Sequence, residues 1–232
     1  MIVAFEGMDG CGKSTTAHEV ANKLGFKHEA QRLISLLDID KNKFNNFVKV
    51  IRTSKNSKLS FFFYAFRCML DNDISEDTII ERTMMSTYYF EKDKVSWEEW
   101  DIIMKNHIVP DITFLLYASS NTRYQRIYER DKNDTDLTNK EALNDGYSDM
   151  IEFAKRYNIP YIGINTEKYS REQIIEICSD TILYYSSLES KEDKKEFVRK
   201  MNENYGVDDL YLLGGDDVYE RKIRFNNSWN GA

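Results

Sequence analysis

Proline, cysteine and histidine are scarce in this chain of 232 residues, which contains two, three and three of them respectively. The three cysteines, Cys11, Cys68 and Cys178, are scattered and have no C-x-x-C spacing. This usage predicts free thiols in a reducing cytoplasm and argues against a structural zinc site. No apolar run approaches the roughly 18 residues of a membrane span, and residues 1–20 lack a signal-peptide pattern. We therefore expect a cytoplasmic protein with no membrane partner.

Basic residues are also fewer than acidic ones: the chain contains 32 Lys and Arg and 39 Asp and Glu, which gives a net charge of -7. Broad nucleic-acid binding draws its affinity from neutralised phosphates, so this balance argues against a nucleic-acid partner. Hydrophobic residues make up 41% of the chain, which is enough for a core. At this length, one α/β domain with an appended tail is favoured over two equal domains.

A complete phosphate-binding loop stands directly after the apolar run of residues 2–5. It fits G-x-x-x-x-G-K-[ST] at every fixed position, between a predicted strand and a helix predicted over residues 13–24. Its glycines let backbone N–H groups turn toward phosphate oxygens at the positive end of that helix. Lys13 is predicted to reach the β- and γ-phosphates of ATP, and the Ser14 hydroxyl to ligate Mg²⁺. The predicted ATP-binding residues are Gly7, Met8, Asp9, Gly10, Cys11, Gly12, Lys13, Ser14 and Thr15.

Short apolar runs alternate with helical patterns over residues 1–184, the predicted nucleotide-binding domain. Such alternation predicts an α/β fold of three layers, a parallel sheet with helices on both faces. Ligands of such sheets lie beyond the carboxyl ends of the strands, where the phosphate loop also lies. Residues 185–232 are predicted to form a C-terminal extension with a charged helix and a β-hairpin. The predicted strands are 2–5, 26–31, 78–80, 112–117 and 161–164, and the predicted helices are 13–24, 58–72, 83–92, 97–107, 122–131, 140–157, 171–184 and 186–204.

Glu81 and Arg82 follow the predicted strand 78–80, so they stand at its carboxyl end. Arg82 can hold a phosphate through two parallel hydrogen bonds. Glu81 can bind a metal-bound water or a substrate hydroxyl. A surface ion pair is the plainer interpretation, but the position of ligands in open α/β sheets favours the functional one.

Arg126 and Arg130 are spaced i, i+4 on one helix face, close in sequence to Arg123 and Lys132. Like charges at this spacing repel each other, and a phosphate chain held between them would offset that cost. Phosphoryl transfer uses such cations to neutralise charge in the transition state, which makes both arginines catalytic candidates. A solvated basic face is the alternative.

Phe63 and Arg67 lie one helical turn apart in the aromatic stretch 61–67. A ring and a cation at this spacing can stack on a nucleobase and hydrogen-bond a base carbonyl. Because so many neighbouring aromatics cannot all face a ligand, Phe61, Phe62 and Phe66 are assigned to the core.

Three motifs together resemble the thymidylate kinase family, with the deoxynucleoside kinases as its neighbours. Residues 5–15 are similar to its phosphate loop F-E-G-x-D-G-x-G-K-[ST]-T, residues 63–67 to its base-binding helix F-x-A-x-R, and residues 81–86 to its D-R-Y-x-x-S stretch. The resemblance implies a P-loop fold of the nucleoside monophosphate kinase type, ATP with Mg²⁺, and a homodimer. Weaker likenesses to P-D-[LI], R-I-x-x-R and G-Y-x-x-x-A-K-R occur at residues 110–113, 126–130 and 146–156.

The resemblance also implies roles for residues that would bind the acceptor. Phe63 would stack on the base, and Arg67 would hydrogen-bond a carbonyl such as thymine O4. Arg82 would hold the phosphate of the acceptor, with Glu81 in the role of the family's aspartate. Phe90 would lie against the sugar near C2′.

Gly10 stands where some members of the family have a catalytic arginine. It resembles the subgroup that takes this cation from the lid, here Arg126 and Arg130. The catalytic candidates are therefore Lys13, Glu81, Arg82, Arg126 and Arg130. The substrate-binding candidates are Asp9, Phe63, Arg67, Glu81, Arg82 and Phe90.

The part of the sequence that would bind the acceptor departs from the family pattern. Residues 27–32 (KHEAQR) replace the R-E-P-G-G-T segment, and residues 81–83 (ERT) are close to the E-R-S motif of deoxynucleoside kinases. A monophosphate acceptor needs cations and no general base, whereas a nucleoside 5′-hydroxyl needs a carboxylate such as Glu29 or Glu81. A deoxypyrimidine monophosphate such as dTMP is the favoured acceptor, and a deoxynucleoside is the second. A non-catalytic ATP-binding module is the third hypothesis.

Overall fold

A parallel sheet forms the centre of the computed structural model, which describes residues 1–30, 32–138 and 144–205. Its strands are β1 (Ile2–Glu6), β2 (Lys27–Glu29), β3 (Thr78–Glu81), β4 (Ile112–Tyr117) and β5 (Tyr161–Asn165). They are ordered β2-β3-β1-β4-β5, so β1 lies in the middle. Every residue of β1, β3, β4 and β5 is buried. Burial on both faces explains why these strands are almost continuously apolar in sequence.

Helices connect the strands, and short polar side chains cap the N-termini of several of these helices. The Asp40 carboxylate, for example, accepts hydrogen bonds from the backbone N–H groups of Asn42 and Lys43 at 3.1 and 3.0 Å. Such caps satisfy N–H groups that have no partner within the helix. The helices are α1 (Lys13–Leu24), α2 (Arg32–Leu37), α3 (Lys41–Arg52), α4 (Leu59–Met69), α5 (Met84–Glu91), α6 (Trp97–Met104), α7 (Ser120–Arg130), α8 (Tyr147–Arg156), α9 (Arg171–Ser187) and α10 (Lys191–Tyr205). Short 3-10 turns cover Leu70–Asp73, Lys92–Lys94 and Thr135–Leu137.

Two apolar clusters lie on opposite faces of the sheet. The first includes Phe61 of α4, Trp100 of α6 and Phe153 of α8. The second includes Val20 of α1 and Ile182 of α9, together with side chains of β1, β4 and β5. The predicted three-layer α/β fold is therefore confirmed.

The carboxyl ends of β1, β3 and β4 meet at one edge of the sheet. Phe5 of β1 is paired in register with Glu81 of β3 and Phe114 of β4. The segments that follow these three strands are consequently neighbours in space, although they are far apart in sequence. They form the candidate site.

The helix predicted over 140–157 begins only at Tyr147. The carboxylate of Asp145 accepts a hydrogen bond from the backbone N–H of Tyr147 at 3.2 Å, as a residue just before a helix can do. Gly146 fits tightly there, because a Cβ on it would lie 2.6 Å from the ring of Tyr89. Residues 139–143, the first part of the prediction, lie outside the described residues.

Helix α10 corresponds to the charged helix predicted for the C-terminal extension. Its Phe197 and Met201 are buried in the second apolar cluster. The Asn202 amide accepts a hydrogen bond from the backbone N–H of Gly163 at 2.9 Å and donates one to the carbonyl of Tyr161 at 2.7 Å. It thereby covers part of the edge strand β5. The division at residue 185 stays a prediction, and the hairpin at 210–225 lies outside the described residues.

Within residues 1–30, 32–138 and 144–205, no helix is both long and apolar enough to cross a bilayer.

Candidate active site

The phosphate-binding loop runs from the end of β1 to the start of α1 and depends on glycine. Gly7, Gly10 and Gly12 have φ angles of 136°, 82° and 96°, in the region that other residues rarely adopt. A Cβ on Gly10 would also lie 2.7 Å from the carbonyl oxygen of Arg123 in α7. The loop is therefore packed against α7, and its conformation follows directly from the glycine spacing of the motif.

Lys13 and Arg82 converge on the carboxylate of Asp9. The Lys13 Nζ lies 3.2 Å from Asp9 Oδ1 and 3.4 Å from the carbonyl of Met8. The Arg82 guanidinium donates to the same carboxylate oxygen. Burial alone would raise the pKa of Asp9, but Arg82 and Lys13 hold it well below its usual range. An ionised Asp9 thus holds both cations beside the loop.

The backbone of Arg82 is held in an unusual conformation. Its φ angle is 61°, which is rare for a residue other than glycine. The N–H of Arg82 donates to the carbonyl of Phe5 at 3.1 Å, and its own carbonyl accepts from Arg67 Nη2 at 3.2 Å. These two contacts stabilise the bend that carries the guanidinium toward the phosphate loop. Sequence reasoning assigned Arg67 to the base and did not foresee this contact.

Glu6 joins the phosphate loop to the start of α5. Its carboxylate is fully buried and accepts hydrogen bonds from the N–H and hydroxyl of Thr83 at 2.5 and 2.7 Å. It also accepts from the N–H of Ser86 at 3.2 Å and from the hydroxyl of that serine. A negative charge at a helix N-terminus is favourable. The glutamate of the F-E-G motif therefore has a structural role that its position in the motif alone did not indicate.

Ser14, Glu81 and His28 form a chain of hydrogen bonds at the other side of the loop. The Ser14 hydroxyl donates to Glu81 Oε2, and His28 Nε2 lies 2.9 Å from Glu81 Oε1. Burial works to raise the pKa of Glu81, but the hydrogen bonds from His28 and Ser14 outweigh it and lower that pKa. Sequence reasoning found Ser14 and Glu81 but missed His28, because no short motif contains it.

The oxygen atoms of Ser14 and Glu81 fit a magnesium ion. Mg²⁺ prefers hard oxygen ligands and is commonly held by one or two protein groups together with nucleotide phosphates. Among the described residues, no group of three or more His, Cys, Asp or Glu side chains is arranged to hold a metal alone. The donor set therefore suits a metal that arrives with a nucleotide.

The three arginines of α7, Arg123, Arg126 and Arg130, lie in different environments. Arg123 is fully buried and donates to the carbonyls of Ala118 at 3.1 Å and Asn144 at 2.9 Å. Arg126 lies against the phosphate loop and β5, with Nη1 3.5 Å from the carbonyl of Gly10 and 2.9 Å from Thr166 Oγ1. Arg126 is thus brought to the site, and Arg123 packs beneath it.

Arg130 is not brought together with the other candidate residues. Its side chain is 61% exposed and pairs with Asp134 at 2.5 Å. The proposed clamp between Arg126 and Arg130 is therefore not formed in this structure. The catalytic roles of both arginines stay predictions.

The aromatic residues of α4 face different environments. The Phe63 ring lies against α3, with its centroid 6.2 Å from that of Phe44 and 5.6 Å from that of Phe47. Phe61 is buried as predicted, whereas Phe62 and Phe66 are 50% and 54% exposed. The assignment of these two rings to the core was wrong, because one helix presents only part of its circumference to the sheet.

Phe90, the residue placed against the sugar by resemblance, is half-buried. Its ring packs edge-on against Tyr89, with centroids 4.8 Å apart, beside the first apolar cluster. Its contact with a sugar stays a prediction.

Acidic side chains collect at the end of β2. Glu29 is buried and pairs with Lys27 at 3.1 Å and with Arg32 at 3.9 Å. Asp71, one turn beyond Arg67, is also buried. Burial raises its pKa to about 6, against the opposing effect of Arg67 and Arg32. Sequence reasoning named Glu29 and missed Asp71, which belongs to no recognised motif.

The fold and the loop together place the chain among the P-loop α/β proteins, which bind nucleotides at the carboxyl edge of a parallel sheet. A family model described as "Thymidylate kinase" matches residues 5–176, which is more than half of the chain. The chain therefore belongs to the thymidylate kinase family. It is a nucleotide kinase, and the family implies ATP as phosphoryl donor.

Two relatives match about three quarters of the chain over more than nine tenths of their own length. A cytidylate kinase from Methanocaldococcus jannaschii is 23% identical over 189 residues, covering 78% of this chain and 97% of the relative. A "Probable thymidylate kinase" from the same organism is 26% identical over 184 residues, covering 75% and 91%.

Solved structures of deoxynucleoside kinases share the fold. Deoxyadenosine kinase from M. mycoides with bound dCTP has a TM-score of 0.58 at 19% identity, covering 79% of this chain and 100% of that chain. The same kinase with bound dATP has a TM-score of 0.56 at 20% identity, covering 78% and 99%. At this identity the likeness concerns the fold alone.

Proposed function

We propose that this kinase transfers the γ-phosphoryl group of ATP to a deoxypyrimidine nucleoside monophosphate such as dTMP. The observation that carries the proposal is the meeting of two cations at the Asp9 carboxylate beside the phosphate loop. Lys13 and Arg82 share that single carboxylate, and Arg67 reaches the carbonyl of Arg82. A nucleotide together with a second, acceptor phosphate would balance these cations.

The transfer would need no general base. A phosphate oxygen of the acceptor forms a bond to the γ-phosphorus, and the bond to the bridging oxygen of ADP breaks with its electron pair left on ADP. Lys13 would hold the β- and γ-phosphates, Arg82 the acceptor's phosphate, and Arg126 would add charge beside Gly10. Mg²⁺, held by Ser14 and Glu81 with the nucleotide, would neutralise phosphate charge.

Phe63 and Arg67 would select the base. The half-buried Phe63 ring offers a face for stacking, and Arg67 can donate to a base carbonyl such as thymine O4. The names of the two relatives from Methanocaldococcus jannaschii, cytidylate kinase and probable thymidylate kinase, support a pyrimidine monophosphate. The test is an ADP-release assay with dTMP, dUMP, dCMP and CMP and with the four matching nucleosides. We expect turnover with at least one deoxypyrimidine monophosphate and much less with the matching nucleoside, and the reverse would contradict the proposal.

A deoxynucleoside acceptor is the second candidate, and buried Glu29 favours it. A nucleoside 5′-hydroxyl must lose a proton, and a carboxylate at the end of β2 could accept it. Glu29→Gln keeps the shape of the side chain and removes the base. A loss of about 10²-fold or more in kcat would support the nucleoside acceptor. A change below about threefold, with a monophosphate as substrate, would support the monophosphate.

The enzyme would act as a homodimer in the cytoplasm. Phe62 and Phe66 of α4 and Ile102 of α6 are each at least half exposed, and a second subunit would cover them. Three buried free cysteines suit a reducing location. Sedimentation equilibrium should give a dimer that Phe66→Glu weakens, and a monomeric wild type would contradict this part of the proposal.

A further inference from the structure

His28 makes a contact that the proposed mechanism does not use. It lies on β2, outside the phosphate loop, with its ring between α1 and β3. Its Nε2 is 2.9 Å from Glu81 Oε1, while the Ser14 hydroxyl donates to Glu81 Oε2. Within the described residues, these are the side chains that hydrogen-bond Glu81. The carboxylate is thus held from both sides, one oxygen by each partner.

The charge of Glu81 decides which atom donates to which. A glutamate carboxylate can only accept hydrogen bonds, and each of its oxygens lies beside one polar atom, Ser14 Oγ or His28 Nε2. The proton of the contact must therefore reside on His28 Nε2. A charge-assisted hydrogen bond of this kind is stronger than one between neutral groups.

The His28 ring also lies near a second imidazole ring. This neighbouring ring belongs to His18 on α1, and the two ring centroids lie 5.6 Å apart at a tilt of 55°. His18 is exposed and its Nε2 lies 3.1 Å from Asn22 Nδ2, so it is engaged elsewhere on its own helix. The ring contact between the histidines reaches neither Ser14 nor Glu81.

We propose that His28 is a positioning residue for the metal. It would hold Glu81, which in turn orients the Ser14 hydroxyl, so that lone pairs of both Glu81 and Ser14 face a metal ion bound with the nucleotide. The inference rests on the proposed phosphoryl-transfer function. It adds His28 of β2, a strand outside the phosphate loop, to the residues that prepare the metal site. Partners that orient metal ligands in this way commonly affect metal affinity.

Two substitutions separate the hydrogen bond from the ring. The amide nitrogen of Gln occupies about the place of His Nε2 and can donate to Glu81, whereas the shorter Asn cannot reach it. Both variants lose the aromatic ring and its packing against His18. His18→Gln is the matched control, because it removes the neighbouring ring and leaves the His28 contact in place.

Mn²⁺ is a suitable probe, since it shares the preference of Mg²⁺ for oxygen ligands and its free form is measured by electron paramagnetic resonance. The affinity of Mn²⁺ for the enzyme–ADP complex is determined for the four proteins, with ADP binding in EDTA measured separately. We expect His28→Asn to weaken Mn²⁺ binding about tenfold. His28→Gln and His18→Gln should stay within about threefold of wild type. ADP binding without metal should be unchanged in each.

The outcomes distinguish this inference from the function on which it rests. Equal Mn²⁺ affinity in wild type and His28→Asn would overturn the role of His28 and leave the kinase function intact. Equal weakening by His28→Asn and His28→Gln would also overturn it, because the ring and not the hydrogen bond would then matter. A wild-type protein in which ADP does not raise Mn²⁺ affinity would contradict the proposed metal-dependent function itself.

Discussion

The two sides of the site are built in different ways. The donor side, formed by the phosphate loop with α1, α7 and β5, is shaped by the backbone, through glycines of positive φ and carbonyls that accept from Arg123 and Arg126. The acceptor side, formed by β2, the end of β3 and helices α3 to α6, depends on single side-chain contacts. Arg67 on Arg82 and Phe63 on α3 are examples.

We expect from this difference that the two sides tolerate change differently. A backbone cradle for phosphates needs glycines and a lysine at set spacings, so a change at one of these positions disturbs the whole loop. A pocket of side chains can exchange one member at a time and thereby change the acceptor. The departures from the family pattern lie on the acceptor side, at residues 27–32 and 81–83. We expect donor-side variants to affect all acceptors alike and acceptor-side variants to affect them selectively.

The largest effect is expected for Lys13→Ala. Loss of this ammonium group removes charge stabilisation of the transferred phosphoryl, so kcat should fall by about 10³-fold with every acceptor. Lys23→Ala, an exposed lysine at the other end of α1, is the control and should leave kcat unchanged. An ADP-release assay measures both. Retained activity in Lys13→Ala would show that the phosphate loop has been assigned wrongly.

The next effect concerns stability and lies outside the site, at His107 in the segment between α6 and β4. Burial lowers its pKa to about 4, and its Nδ1 has no hydrogen-bond partner among the described residues. Below pH ~6.5 this histidine is protonated in the unfolded chain, whereas in the folded protein it stays neutral down to about pH 4. The free energy of unfolding therefore falls across this range, by at most about 3 kcal/mol.

His107→Leu should flatten this acid dependence. Urea unfolding at pH 7 and at pH 4.5 measures it, and His18→Gln, at an exposed position, serves as control. A variant that loses as much stability on acidification as wild type would contradict the assignment to His107.

A smaller effect is expected on the donor side for Asn202→Ala. The change removes two hydrogen bonds to the edge strand β5 and should lower the free energy of unfolding by about 1–2 kcal/mol. Lys195→Ala, on an exposed position of α10, should have no effect. KM for the acceptor should not change in either variant. Unchanged stability in Asn202→Ala would indicate that α10 is dispensable, as a separate extension would be.

The smallest effect is expected for Arg67→Ala. Loss of one charged hydrogen bond to the base should change the preference between deoxypyrimidine monophosphates by about tenfold in kcat/KM. Arg52→Ala, an exposed arginine of the neighbouring α3, is the matched control. If Arg67→Ala lowered kcat/KM equally for all acceptors, its contact with Arg82 would be its main function, and the base-binding role would be refuted.

Sequence reasoning succeeded where the cause was local. The phosphate loop, the strands around it and the residue pair Glu81–Arg82 were all found from spacing and from alternating patterns. It failed where the side chains of one helix had to be assigned to the core or to the surface, as for Phe62 and Phe66. It also missed His28 and Asp71, because nothing in their own neighbourhood in sequence marks them.

The sequence by itself determined the parallel α/β architecture and the phosphate-binding loop, since glycine conformations, helix starts and apolar strands depend on neighbouring residues. The tertiary structure alone decided which side chains meet at the edge of the sheet. His28 reaches Glu81 across 53 residues of sequence, and Arg126 reaches Thr166 across 40. Such contacts exist because parallel strands bring distant segments to a common edge, and their geometry cannot be read from either segment alone.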